Sequence, residues 1–166
     1  MRFNNQRIGV FVDVQNMYYS AKNLYNAKVN FAQILKTAVG DRELIRAIAY
    51  VIKADVKDEQ TFFDALDKIG FEVKAKDLQI FAGGAKKGDW DIGLAMDTIE
   101  LAPKLDTIVI VSGDGDYVPL LYHLRHALGR RIEVIAFGKS SSSLLREECD
   151  SFIDMDADKR RYLIYR

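Results

Sequence analysis

The stretch Val109-Ile110-Val111-Ser112-Gly113-Asp114-Gly115-Asp116-Tyr117-Val118-Pro119-Leu120-Leu121 decides the fold. An apolar, β-branched run stops at a loop carrying two carboxylates one residue apart, and a helical pattern follows. In open α/β sheets, ligands bind just outside the carboxyl ends of parallel strands. Asp114 and Asp116 therefore stand where such folds place chemistry. The first strand repeats the design: Ile8-Gly9-Val10-Phe11-Val12 runs into Asp13, with Asn16 three residues on. Two apolar strands that each end in aspartate predict an acidic pocket at one sheet edge, and such a pocket calls for a cation.

Outward from these two units, apolar runs alternate with helical patterns, as in repeated βα units around a parallel sheet. Strands are expected at residues 8–13, 43–52, 107–111 and 132–137, with one or two short ones in 71–81 and a last one at 152–153. Helices are expected at 16–26, 31–39, 58–69, 89–101, 117–128 and from Ser140 to about Glu148. Gly70 and Gly129 close two of them. If Asp116 caps its helix, Pro119 falls in the first turn, where no intrahelical N–H bond is lost. Gly83 to Gly88 reads as a flexible basic loop, and the tail from Lys159 to Arg166 has no evident partner.

The chain has 166 residues, 49% hydrophobic and 29% charged, enough for one globular domain with a sizeable core. The core is expected over about 8–155, with a basic tail at 157–166. Twenty-four Lys and Arg balance 24 Asp and Glu. Overall charge thus makes no case for nucleic acid, and any such surface must be a local patch. The one cysteine, Cys149, excludes an internal disulfide and a cysteine-based zinc site, which suits a reducing cytoplasm. No apolar run is long enough to span a membrane, and the polar N-terminus lacks the apolar segment of a secretion signal.

Each aspartate has an ordinary alternative. Asp13 can cap a helix, Asn16 suits turns and caps, and Asp114-Gly115-Asp116 can serve only as a strand-to-helix turn. Taken together those alternatives bring three unpaired carboxylates to one edge by accident. Like charges about 4 Å apart repel by about 4 kcal/mol per pair at an effective dielectric near 20. A divalent cation relieves that, and hard oxygen ligands select Mg²⁺ or Mn²⁺ over zinc. Asp89, Asp91 and Asp97 form a further acidic set at a helix start. Asp91 and Asp97 point about 120° apart on a regular helix, so they do not share one metal. Asp91 is the choice for a further ligand, and Asp97 for a helix-face partner.

Ser140 to Ser143 can cap a helix or receive a phosphate. His123 and His126 are assigned to surface or core, and Tyr18, Tyr19 and Tyr25 to helix packing rather than base stacking. Lys86, Lys87 and Lys139 are the phosphate candidates, whereas Arg130 belongs at the far edge of the sheet.

The segments GVFVDVQNMYYS, KKGDWDIGLAMDTI and VSGDGDYVPLLYHLRHALGRRIEVIAFG resemble the NYN domain, specifically the LabA/DUF88-like branch of the PIN-like nuclease superfamily. The resemblance runs from about residue 8 to residue 155. It implies a Rossmann-like, three-layer sandwich, with a mainly parallel sheet and helices on both faces. It also implies an acidic cluster that binds Mg²⁺ or Mn²⁺ for RNA hydrolysis, established for only some members of the family. By motif match the cluster maps to Asp13, Asp91, Asp114 and Asp116, with Asn16 beside it and Ser112 at a polar position ahead of Asp114. Asp89 departs from the family pattern and leaves open which of Asp89 and Asp91 is the ligand. The expected activity is a metal-dependent phosphodiesterase acting on RNA, an endoribonuclease. The alternative is a regulatory module that binds RNA or a nucleotide in the same pocket. A homodimer, or a protein partner that supplies RNA specificity, stays open. Haloacid-dehalogenase and von Willebrand-type sites fit less well, because Gln15 stands where the first needs a second aspartate, and Gln15 and Met17 stand where the second needs serines.

Overall fold

The computed structural model describes residues 5–84, 86–87 and 89–165; of Lys86 and Lys87 only the backbone is described. In chain order the elements are β1 (Arg7–Asp13), α1 (Val14–Tyr25), β2 (Lys28–Val29), α2 (Phe31–Val39), β3 (Glu43–Lys53), α3 (Glu59–Ile69) and β4 (Glu72–Asp77). Then come β5 (Gln79–Ile80), β6 (Lys86–Lys87), α4 (Asp91–Leu101), β7 (Thr107–Val111), α5 (Val118–Tyr122) and β8 (Arg131–Ala136). The chain closes with α6 (Ser143–Glu148), β9 (Ser151–Asp154), α7 (Lys159–Tyr162) and β10 (Leu163–Ile164).

Six strands form one sheet in the order β4-β3-β1-β7-β8-β9, and every neighbouring pair is parallel. Counted along this sheet the order is 3-2-1-4-5-6, that of a doubly wound fold, with helices on both faces. β1, β7 and β8 are apolar nearly throughout because both sheet faces are covered. Their core residues Val10, Phe11, Val109, Ile110, Val134 and Ile135 are wholly buried. The strand order reverses between β1 and β7, and the crevice at such a switch point is where these folds bind ligands. The register Val12↔Val111 brings Asp13 level with Ser112, so the two strand-end loops open side by side.

The other expectations largely stand, with four differences. The long helix expected at 117–128 begins as a 3₁₀ turn (Gly115–Tyr117), continues as α5 and widens into a π turn at His123–Ala127. Its leading cap is Asp114 rather than Asp116: the Asp114 carboxylate accepts the Asp116 N–H at 2.9 Å. Pro119 does sit in the first turn of α5. Within the stretch read as a flexible basic loop, Lys86 and Lys87 form β6, which pairs antiparallel with β5. The tail is also held. β10 pairs antiparallel with β2, Tyr162 and Leu163 are buried, and the Tyr162 hydroxyl meets Thr37 at 3.0 Å. Among the described residues no helix is long and apolar enough to cross a membrane.

Candidate active site

Three elements deliver the acidic groups. Asp13 ends β1 and caps α1, its Oδ1 accepting the Asn16 N–H at 3.2 Å. Asp114 follows β7 by three residues and caps the 3₁₀ turn. Asp91 is the first residue of α4, whose start is anchored by the Trp90 indole N–H donating to the Val51 carbonyl at 2.8 Å. One carboxylate oxygen from each of Asp13, Asp91 and Asp114 lies within 4.8 Å of the others. Among the described residues no lysine or arginine pairs with any of the three.

Neutral donors hold them instead. The wholly buried Ser112 places its hydroxyl 3.3 Å from Asp13 Oδ2, and the Asp114 N–H donates back to that hydroxyl at 3.1 Å. The Asn16 side-chain carbonyl accepts the Gly113 N–H at 3.0 Å and ties the Asp114 loop to α1. The Tyr117 hydroxyl bridges the cluster, 3.0 Å from Asp91 Oδ1 and 3.3 Å from Asp13 Oδ2. One hydroxyl proton thus serves two carboxylates. Burial pushes the Asp91 carboxyl up to about 6, and the Asp114 and Asp13 charges add to it against the Tyr117 hydrogen bond. Burial also raises Asp13, and it raises the Tyr117 phenol further with help from both carboxylates. These shifts express one excess: negative charge with too few protons or cations beside it.

The loop after β8 packs on the Asp114 loop with no room to spare. A Cβ at Gly113 would lie 2.7 Å from Ser141 Oγ, and one at Gly115 would lie 3.0 Å from Ser142 Cβ and Oγ. Glycine is therefore required on the carboxylate loop by close approach.

The expected residues divide as follows. Asp13, Asp91, Asp114, Asn16 and Ser112 come together. Asp116 does not join them: it is exposed, and only its backbone N–H reaches Asp114. Asp89 lines the same cleft but lies outside the three-carboxylate cluster. Asp97 turns away to Tyr50 and Lys74, both at 2.7 Å. Burial opposes its ionisation, yet those two hydrogen bonds hold its carboxyl below the usual range. Lys139 does not line the cleft. Its ammonium lies 5.6 Å over the Tyr25 ring. The Lys86 and Lys87 side chains lie outside the described residues. His126 faces Glu148 at 3.2 Å and stacks near Tyr122, away from the cluster.

The cleft in front of the carboxylates has a volume of about 320 Å³. Its other wall is α1, through Gln15, Asn16, Tyr19, Ser20 and Asn23, with Ser140 at the rim. Sequence reading missed Tyr117, Gln15 and Asn23. The last two were detectable by their spacing with Tyr19, four residues apart along one helix face.

The donor set suits a hard divalent cation: three carboxylates converge, and among the described residues no lysine or arginine pairs with them. Several known proteins share this framework. A protein of unknown function from Vibrio parahaemolyticus, known from a crystal structure, superposes with a TM-score of 0.88 over 99% of both chains at 32% identity. The Low amplitude and bright protein LabA of Synechococcus elongatus is 28% identical over 94% of this chain and 87% of its own length. The NYN domain family model matches residues 7–156. That span takes in every strand of the main sheet and all three clustered carboxylates, so the chain belongs to the NYN domain family.

Proposed function

We propose that this NYN domain is a metal-dependent phosphodiesterase that cuts RNA internally, with Mg²⁺ or Mn²⁺ held by Asp13, Asp91 and Asp114. The observation that carries the reading is the convergence of those three carboxylates, with no cationic partner among the described residues, at the switch point of the sheet. The family supports RNA as the substrate class. A divalent cation bound there supplies Lewis acidity, lowering the pKa of a water and offsetting charge on a phosphate. The chain's own residues set the geometry. Asn16 and Ser112 fix the Asp13 carboxylate and the Asp114 loop, and Tyr117 holds Asp13 and Asp91 at one spacing. Asp91, with its carboxyl near 6, sheds its proton readily around neutral pH to complete the charge of the site.

A second reading, RNA or nucleotide binding without cleavage, is favoured by one feature: no lysine or arginine lines the cleft among the described residues. A screen on single-stranded and structured RNA with Mg²⁺, Mn²⁺ and EDTA separates the two. The expected result is cleavage with metal, none in EDTA, and none in Asp13→Asn. RNA binding without cleavage under any metal transfers the conclusion to the second reading.

A further inference from the structure

The three tyrosines of α1 have different fates. Tyr25 is engaged, its hydroxyl on Asp156, its ring against Phe137, and Lys139 and Lys159 over its face. Tyr18 and Tyr19 are not packed: 49% and 50% of their surface is exposed, and their rings meet edge to face at 5.2 Å. Of these two only Tyr19 faces the cleft. It sits between Gln15 and Asn23, which also line the cleft, so the three residues form one stripe at spacing i, i+4, i+8. The stripe begins two residues after Asp13 and runs about 12 Å along the helix away from the carboxylates.

The charge of the cleft limits how a ligand can be held. Four aspartates line it, and no lysine or arginine does among the described residues. Phosphate attraction by side chains, the usual source of nucleic-acid affinity, has no source among the described residues that line the cleft. What the wall offers instead is an aromatic face flanked by two amides, each able to donate and to accept hydrogen bonds. That chemistry suits a nucleobase: a π-face to stack, and an edge rich in donors and acceptors. A base paired inside a duplex has its π-face stacked and its Watson–Crick edge occupied.

We infer that the Gln15–Tyr19–Asn23 face of α1 is a nucleobase subsite beside the carboxylates, and that it selects RNA whose bases are unpaired and unstacked. The inference rests on the phosphodiesterase reading for the position of the RNA backbone, and the stacking itself is measurable without cleavage. The probe is a short fluorescein-labelled single-stranded RNA, titrated by anisotropy in Ca²⁺ and in EDTA. Tyr19→Phe keeps the stacking face and should bind like the wild type. Tyr19→Ala should bind roughly 5- to 150-fold more weakly, the range for one stacked base. Tyr19→Leu, which keeps apolar bulk but no π-face, should also lose affinity, and melting curves show that each variant is folded. The same RNA annealed to its complement should bind at least tenfold more weakly. The log–log salt slope should be no steeper than about −1, the value for one or two neutralised phosphates. Unchanged binding by Tyr19→Ala and Tyr19→Leu, or equal binding of the duplex, overturns the subsite. Tyr19-dependent binding with no cleavage under Mg²⁺ or Mn²⁺ overturns the phosphodiesterase reading and leaves the subsite standing. Cleavage with no Tyr19 dependence in binding does the reverse.

Discussion

The two ends of the main sheet use the same residue types in opposite ways. Where the strands begin, carboxylates meet arginine. Asp106 accepts from the Arg7 backbone and guanidinium, and Asp150 pairs with Arg125 at 3.0 Å. Glu133, wholly buried, takes both arms of Arg42 at 2.9 Å and the Arg131 Nε at 3.0 Å. Where the strands end, Asp13, Asp91 and Asp114 crowd together, and among the described residues only hydroxyl and backbone groups donate to them. A buried carboxylate with its arginine is internally complete. A group of carboxylates with no such partner among the described residues is relieved by a cation from outside.

The largest effect that can break this contrast is at the beginning of the strands. Arg42→Met takes the bidentate partner from a buried carboxylate and should cost about 3–5 kcal/mol in urea denaturation. A loss below about 1 kcal/mol would put the two ends on the same footing. At the other end the sign reverses. Asp13→Asn and Asp114→Asn keep a competent cap and remove a repelling charge, so metal-free protein should melt no lower than the wild type. Mn²⁺ at a hundredfold excess over its Kd should stabilise the wild type by about 2.7 kcal/mol and leave both variants unmoved. Wild type that ignores Mn²⁺ in calorimetry removes the case for a metal.

Smaller still is Tyr117→Phe. Loss of the hydroxyl shared by Asp13 and Asp91 should cost about 1–2 kcal/mol without metal. It should cost less with Mn²⁺, once a cation holds the two carboxylates; an equal loss in both conditions would make the hydroxyl's role independent of metal, and no loss in either would make Tyr117 a packing residue only. The finest test is pH. Asp91 keeps its proton in the fold up to about 6, against an ordinary 3.8, so the folded state binds more protons in that window. Its contribution is full below 3.8 and is lost as pH rises through about 6. Melting in EDTA should show that fall, and Asp91→Asn should flatten it. Asp106, held below the usual range by Arg7, gives the opposite slope: its contribution is lost on acidification, and Asp106→Asn should remove it.

Much of this was legible in the chain. Apolar runs ending in Asp13 and just before Asp114 placed the carboxylates at one edge, because a parallel strand buried on both faces leaves little ambiguity in its pattern. The fate of Asp116 was not legible. Spacing makes it equivalent to Asp114, but the 3₁₀ turn capped by Asp114 itself swings Asp116 into solvent. Tyr117 carried no signal either, since a hydroxyl that reaches residues 104 and 26 positions away leaves no local periodicity. The tail misled through composition: the basic run Lys159–Arg161 hides the buried Tyr162 and Leu163 that follow. Helix aromatics usually pack, so spacing alone does not separate Tyr19 from Tyr25; three-dimensional placement puts Tyr19 on the cleft wall.

The contact between Gly115 and Ser142 has a consequence for how this loop can change over generations. A methyl group at Gly115 would meet the Ser142 side chain at 3.0 Å and nothing else as near, so the obstacle is one side chain. Ser142 makes no capping bond with that side chain, so its trimming to glycine is cheap. The two substitutions are therefore unequal in order. Ser142→Gly followed by Gly115→Ala passes through tolerated intermediates, whereas the reverse order must cross a strained loop one residue from Asp114. Serine at 142 thereby disfavours any larger residue at 115, so the freedom of the carboxylate loop is set in part by a side chain of the neighbouring loop.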